Sequence, residues 1–266
     1  MFNQFYNMSY NPFSKQIKEK DLFSTKDLKQ VHGRLDHLKK TGGIGLITAE
    51  PGVGKTFAIR TWKNKQNLNS TKFVYICMTS VTNREFYRQL CAGLGIIVSF
   101  KKSDLFQDLQ NCIKVLADER RMKVIIIIDE AQYLPSSVFK DLQMITNFDM
   151  DSRDLLSVVL TGHSILNQLI SRQPFESLRQ RLVVNYQMEG LNEEQVKDYV
   201  KTQLERVNAD PRLFSDSALI SACSCAGGSI RKLNSIITNA LIIGAQNQMS
   251  SIDTNIIQNA TDELAL

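Results

Sequence analysis

The sequence predicts an α/β protein: a five-stranded parallel sheet covered by helices, followed by a small all-helical domain. Three observations predict it. Between about residues 43 and 188, short β-branched runs alternate with helical patterns, the signature of βαβ units. The third run, KVIIIIDEA, is apolar at consecutive rather than alternating positions, as a strand covered on both faces must be, which makes it a central strand. Beyond Gly190 the strand patterns stop and only helical ones remain.

Residues 1–40 read as an N-terminal arm and linker helix. The opening MFNQFYNMSYNPF is aromatic and nearly uncharged, which suits a strand-like arm packed on the nucleotide site or on a neighbouring subunit, and equally a leader without structure over its first eight residues. Residues 41–189 form the α/β domain. Its strands are IGLITA (44–49), KFVYICMT (72–79), KVIIIIDEA (123–131), LSVVLTG (156–162) and LVVNYQM (182–188). Helical periodicity fills 55–66, 83–92, 103–119, 136–147 and 164–180, broken by Gly, Pro or charged turns. Residues 190–266 carry helices at about 192–206, 215–226, 229–247 and 251–263. Asn192 with Gln195 makes a capping box, Ser215 is an N-cap, Gly227-Gly228 separates two helices, and the last residues, TDELAL, read as a fraying helix end.

Composition removes several classes. With 266 residues, 43% of them hydrophobic and 22% charged, the chain can bury a full core and is neither a disordered tail nor a disulfide-stapled miniprotein. Its apolar runs, such as Val124–Ile128, are far short of the roughly 20 residues a membrane span needs. The N-terminus has no secretory pattern, so a cytoplasmic protein of bacterial type is expected. Cys77, Cys91, Cys112, Cys223 and Cys225 are odd in number and lack metal or redox spacing; they read as reduced core thiols. Charge is uneven: +8 over residues 1–72, +1 over 73–188 and −4 over 189–266. A basic front and an acidic tail put any polyanion-facing surface on the first two thirds.

The strongest chemical signal is AEPGVGKT, Ala49 to Thr56, between a strand and a helix. Glycine-rich backbone at a helix N-terminus cradles phosphates, so Glu50, Pro51, Gly52, Val53 and Gly54 wrap ATP. Lys55 reaches the β and γ oxygens and the Thr56 hydroxyl ligates Mg²⁺. Ala49 stands where the P-loop pattern has its first Gly. The second signal is IIIIDEAQ, Ile125 to Gln132, a hydrophobic strand ending in two carboxylates. Asp129 then holds Mg²⁺, directly or through water, and Glu130 orients or deprotonates the attacking water. In an open α/β sheet both motifs meet at the carboxyl ends of the strands.

The order of these motifs, followed by LTGH at the end of the fourth strand, the paired arginines of SLRQR and the helical GGSIRKLN, resembles an AAA+ ATPase. With NPF near the N-terminus the chain is similar, over about residues 10–250, to the ExeA/TnsC/TniB/IstB-like group that includes transposition helper ATPases. The resemblance implies further roles. Thr161 or His163 occupies the sensor-1 position near the γ-phosphate, with His163 where the family has Gln. Arg181, or else Arg179, is the arginine finger acting on a neighbouring subunit's ATP, and Arg231 is the sensor-2 residue of the lid.

Lys101-Lys102 and Arg120-Arg121-Lys123 lie on loops flanking one helix, and in AAA+ rings such loops line the channel. Repeated around an oligomer they would track duplex DNA phosphates without reading sequence. The resemblance thus implies an ATP- and Mg²⁺-dependent homo-oligomer, a ring or helical filament of about six or more subunits per turn, that binds double-stranded DNA. It would select targets for DNA transposition and recombination and recruit or stimulate a transposase. A secretion ATPase like ExeA would be expected to carry a membrane span and a cell-wall-binding region after its ATPase, so a chain ending at its lid favours transposition. A helicase-loader or initiator-like ATPase is a further alternative, and a nucleotide-gated adaptor with negligible turnover is another.

Overall fold

The computed structural model describes residues 2–14 and 23–264. Met1, part of the expected leader, and the last two residues of the TDELAL segment lie outside the described residues. In chain order the helices are α1 (Phe2–Phe5), α2 (Lys26–Thr41), α3 (Lys55–Asn64), α4 (Asn83–Leu94), α5 (Lys102–Asp118), α6 (Ser136–Ile145), α7 (Ile165–Ile170), α8 (Glu176–Gln180), α9 (Glu193–Arg206), α10 (Asp216–Ala226), α11 (Ile230–Gln246) and α12 (Thr254–Asp262). The strands are β1 (Gly43–Thr48), β2 (Thr71–Ile76), β3 (Lys123–Ile128), β4 (Leu156–Gly162) and β5 (Leu182–Gln187). Among the described residues no helix is long and apolar enough to cross a membrane. Two compact units divide the chain. One comprises Gln30–Ala49 and Lys55–Met188; the other holds the described residues up to Lys29, Glu50–Gly54, and those from Glu189 on.

The first unit is built on the five-stranded parallel sheet, ordered β2-β3-β4-β1-β5. Successive side chains of a strand point to opposite faces, so the unbroken KVIIII run must be covered twice. Val124, Ile126 and Ile128 join the large core cluster with residues of α4, α5 and α6. Ile125 and Ile127 are equally buried on the other face, the side of α2 and α3. β3 is an interior strand, paired with β2 and β4; the middle position itself belongs to β4, every residue of which is buried. α2 and α3 are tied together by Trp62, whose indole N–H donates to Asp36 at 2.8 Å. α2 is tied to the sheet by the Ser157 hydroxyl, which donates to the Leu38 carbonyl at 3.0 Å.

Three sequence expectations need correction here. The helix expected over 164–180 is two short helices, α7 and α8, joined by a 3₁₀ turn at Gln173–Phe175, because Pro174 has no N–H to continue a helix. Cys77 is exposed rather than a core thiol, since it follows the last residue of β2; Cys91 and Cys223 are buried, Cys112 and Cys225 half-buried, and all five are free. The N-terminal segment is neither a strand nor structureless: Phe2–Phe5 is helical.

A surface turn between α6 and β4 places Asp149, Met150 and Asp151 consecutively at positive φ, 50°, 56° and 67°. Left-handed backbone costs non-glycine residues about 1–2 kcal/mol each. Ion pairs pin it: Asp149 accepts from Lys114 at 2.8 Å and from Arg153 at 3.2 Å, and Asp151 from Arg181 at 2.7 Å.

The second unit packs α1, α9, α10, α11 and α12 around their own core of Val200, Leu204, Ile236, Ile237, Leu241 and Ile257. The aromatic N-terminus belongs to that core. Tyr6, Met8 and Phe13 are buried in it, and the Tyr6 hydroxyl donates to the Met249 carbonyl at 3.1 Å. Gly244 of α11 leaves room for that ring; a Cβ there would collide with the Tyr6 hydroxyl. In the same unit the buried Asp27 carboxylate accepts the N–H groups of Glu189 and Gly190 at 3.0 and 2.8 Å. α9 opens on the expected Asn192/Gln195 capping box.

Candidate functional site

The residues of AEPGVGKT adopt a loop that only its glycines permit. Gly52 and Gly54 lie at φ 82° and 113°, and the Val53 N–H closes a turn on the Glu50 carbonyl at 3.4 Å. Within the helical unit the Arg231 N–H donates to the Gly52 carbonyl at 3.2 Å, and a Cβ on Gly52 would run into the Ser229 hydroxyl. Both glycines are thus required by conformation, and Gly52 by space as well. In the sheet unit Lys55 starts α3, is buried, and donates from Nζ to the Ala49 carbonyl at 2.8 Å. Ala49 itself is fully buried.

At the end of β3 the Asp129 carboxylate is 5% exposed and takes four donors. Thr56 and Tyr75 hydroxyls donate to Oδ2 at 2.8 and 2.9 Å. The Thr161 hydroxyl and the Glu130 N–H donate to Oδ1 at 2.7 and 3.1 Å. A carboxylate has about four lone-pair directions, so this one is saturated and held in a single orientation. Burial, followed by the nearby Asp129 charge, pushes the Tyr75 phenol above its usual range. Of the two sensor-1 candidates, Thr161 spends its fully buried hydroxyl on Asp129, while His163 lies one residue past β4 with Nε2 at 3.3 Å from Glu130 Oε2.

Glu130 sits in left-handed backbone, φ 53° and ψ 42°, before a 3₁₀ turn at Ala131–Tyr133, and its carbonyl accepts the Thr79 hydroxyl at 3.1 Å. Strained residues of this kind concentrate at functional sites. Its side chain receives the Gln132 amide at 2.7 Å, and the Gln132 carbonyl oxygen accepts the His163 N–H at 3.2 Å.

The remaining expected residues are placed as follows. Arg179 lies in the last turn of α8 and donates to the Ser171 carbonyl at 2.7 Å; Arg181 follows the helix, paired with Asp151. Lys101 precedes α5 and is exposed, as are Arg120, Arg121 and Lys123. The two basic groups do not form one patch: α5 separates them by its 17 residues, about 25 Å at 1.5 Å per residue. Lys102 is also exposed, and its ammonium pairs at 2.6 Å with the nearly buried Asp141 and lies 5.4 Å from the Tyr87 ring centre.

Sequence reasoning gave no part to Tyr75 or Gln132. The signal for Tyr75 is the parallel register, which pairs Tyr75 with Ile127 two residues before Asp129. Gln132 stood inside the quoted motif, but its two-residue spacing from Glu130 carries meaning only with the turn.

The donor set suits Mg²⁺ bound with a nucleotide. Thr56 and Asp129 offer hard oxygens within 2.8 Å of one another, and Mg²⁺ is commonly held by one or two protein ligands with phosphates and water completing the shell. Among the described residues no group of three or more His, Cys, Asp or Glu could make an all-protein metal cage.

Comparison with known proteins agrees with this arrangement. The family model described as an AAA domain matches residues 37–170, half of the chain. General secretion pathway protein A of Aeromonas hydrophila is 30% identical over 253 residues, covering 91% of this chain; the chain spans 44% of that relative's length. Among solved structures, Cdc6p of Pyrobaculum aerophilum has TM-score 0.64 at 17% identity, over 98% of this chain and 70% of that one. The ORC1 protein of Aeropyrum pernix in complex with DNA has TM-score 0.67 at 15% identity, over 97% and 70%. At those identities the likeness is one of fold. The P-loop, the carboxylates at the end of β3 and the matched family model together show that the chain belongs to the AAA domain family of AAA+ P-loop nucleoside triphosphatases.

Proposed function

We propose that this chain is a Mg²⁺-dependent ATP hydrolase that assembles on duplex DNA as a homo-oligomer, a ring or helical filament, and there recruits or stimulates a transposase. The observation that carries the ATPase is the Thr56–Asp129 contact at 2.8 Å with Glu130 as the next residue. In this reading the backbone of Glu50, Pro51, Gly52, Val53 and Gly54 wraps the phosphates and Lys55 neutralises them. Thr56 and Asp129 hold Mg²⁺, which supplies charge neutralisation on the phosphate oxygens. Glu130 orients the water and takes its proton, Thr161 fixes Asp129, and His163 stands beside Glu130. Arg231 answers the nucleotide from the lid. Arg181, or Arg179, leaves its intramolecular partner for a neighbouring subunit's phosphate; the Asp151 pair is exposed enough to be exchanged cheaply. Residues 41–189 then form the nucleotide-binding domain, 190–266 the lid and 1–40 the arm and linker helix. Action on DNA and a transposase implies a cytoplasmic protein.

DNA binding is supported by exposed Lys101, Arg120, Arg121 and Lys123 and by the DNA held in the Aeropyrum pernix neighbour's structure. The test is steady-state ATP hydrolysis with and without duplex DNA across a salt series, with electron microscopy of the same samples. Stimulation accompanied by rings or filaments is expected. Turnover indifferent to DNA in a protein that stays monomeric would overturn this reading and favour a second one, a secretion-type ATPase, which the Aeromonas hydrophila relative supports.

A further inference from the structure

Gln132, Gly162 and His163 form a closed arrangement around the Glu130 carboxylate. The Gln132 amide nitrogen donates to Glu130 Oε2 at 2.7 Å, and its carbonyl oxygen accepts the His163 backbone N–H at 3.2 Å. The His163 ring returns to the same carboxylate oxygen through Nε2 at 3.3 Å. On the far side of that ring, Nδ1 is buried without a hydrogen-bond partner. An orphaned N–H there would be costly, whereas a bare lone pair is cheaper, so the neutral ring carries its hydrogen on Nε2, the nitrogen that lies 3.3 Å from the Glu130 carboxylate. Gly162 is the space in which the arrangement closes: a Cβ built on it collides with the Gln132 carbonyl oxygen.

We infer that Gln132 and His163 are positioning residues that hold Glu130 by one carboxylate oxygen, Oε2, and so aim Oε1 at the attacking water. The inference rests on the reading of Glu130 as the water-orienting residue. It assigns His163 to the carboxylate rather than to the γ-phosphate. It also explains why LTGH follows DEAQ in space: the glycine admits the amide that locks the glutamate. Glu130 needs such support because its own backbone is strained and its side chain is 39% exposed. Without the two donors the carboxylate would sample several rotamers.

The experiment measures kcat and KM for MgATP together with the affinity of a fluorescent ATP analogue in Gln132→Ala, His163→Ala, His163→Gln and Gly162→Ala, with Glu130→Gln as reference. Misplacing a reacting group by about 1 Å costs up to a hundredfold, so kcat is expected to fall about tenfold to a hundredfold in the two alanine variants. Analogue affinity and KM should stay within about twofold of the parent. His163→Gln, which keeps an N–H donor, should recover most of kcat, and Gly162→Ala should reproduce the loss while leaving both donors in the sequence. Unchanged kcat in Gln132→Ala and His163→Ala overturns the inference. So does a loss that follows affinity, which would return His163 to the phosphate, and so does a raised kcat, which would make the contacts a brake. If Glu130→Gln itself turns over normally, the failure belongs to the catalytic reading of Glu130 instead.

Discussion

Replacing Thr161 by Val tests whether the four-donor environment of Asp129 is a physical reality. Valine keeps the shape of threonine and deletes only the hydroxyl. The site is fully buried and the Asp129 carboxylate nearly so, so water does not replace the lost donor. A hydrogen bond to a charged group contributes about 1.5–3 kcal/mol. Thr56, Tyr75 and the Glu130 N–H still hold the carboxylate, which favours the lower half of that range. At about 2–4 °C per kcal/mol for a unit of this size, the Thr161→Val melting temperature should fall by about 3–9 °C. Thr161→Ser keeps the donor and loses one buried methyl, about 0.8 kcal/mol, so it should fall by no more than about 3 °C. Circular dichroism melts without nucleotide read both. A Val variant within about 1 °C of the parent, or a Ser variant that falls as far as Val, would refute the reasoning, since neither is compatible with a hydroxyl that serves a buried charge.

Asp27→Ala should cost the helical unit about 2–3 kcal/mol, because two backbone N–H groups lose a charged acceptor; Asp27→Asn retains an acceptor oxygen and should cost less, as urea midpoints will show. Thiol titration with Ellman's reagent should show a fast phase that Cys77→Ser removes, whereas Cys91, buried and with its thiol pushed up to about 11 by that burial, should react only on unfolding. A persistent fast phase in Cys77→Ser would contradict the assignment. Burial, then the Asp141 charge, raises the Tyr87 phenol. A folded value above the unfolded one, about 10, means that the stabilising contribution is whole below about pH 10 and is lost as pH rises beyond it. The urea midpoint should therefore drop above about pH 10, and less steeply in Tyr87→Phe; parallel curves would count against a buried phenol.

How much of this was legible in the sequence depends on how local each signal is. KVIIII followed by DE is self-sufficient: consecutive apolar residues specify burial on two faces, and the acids specify where the strand leaves the core. The P-loop is likewise local, because its glycines answer to backbone geometry within a few residues. Asn192 and Gln195 cap α9 across three positions, and that too was readable. What escaped was relational. Tyr75 matters because β2 and β3 pair in one register and not the next. The Lys102 ion pair was not readable because its partner, Asp141, lies 39 residues away on another helix. The N-terminal aromatics were read by β propensity, but packing into the helical core decided their conformation.

The turn at Asp149–Asp151 makes ionic strength a conformational variable for this protein. Its left-handed backbone is balanced by surface ion pairs, and at moderate salt the Debye length, about 8 Å, already weakens such pairs. Adding salt weakens the Arg181–Asp151 pair together with the other ion pairs of this turn. A salt titration of any property that depends on Arg181 therefore also reports the state of this turn. Asp151→Asn removes the Arg181 anchor at every salt concentration and leaves the Lys114 and Arg153 pairs of Asp149 as the salt-dependent part of the turn.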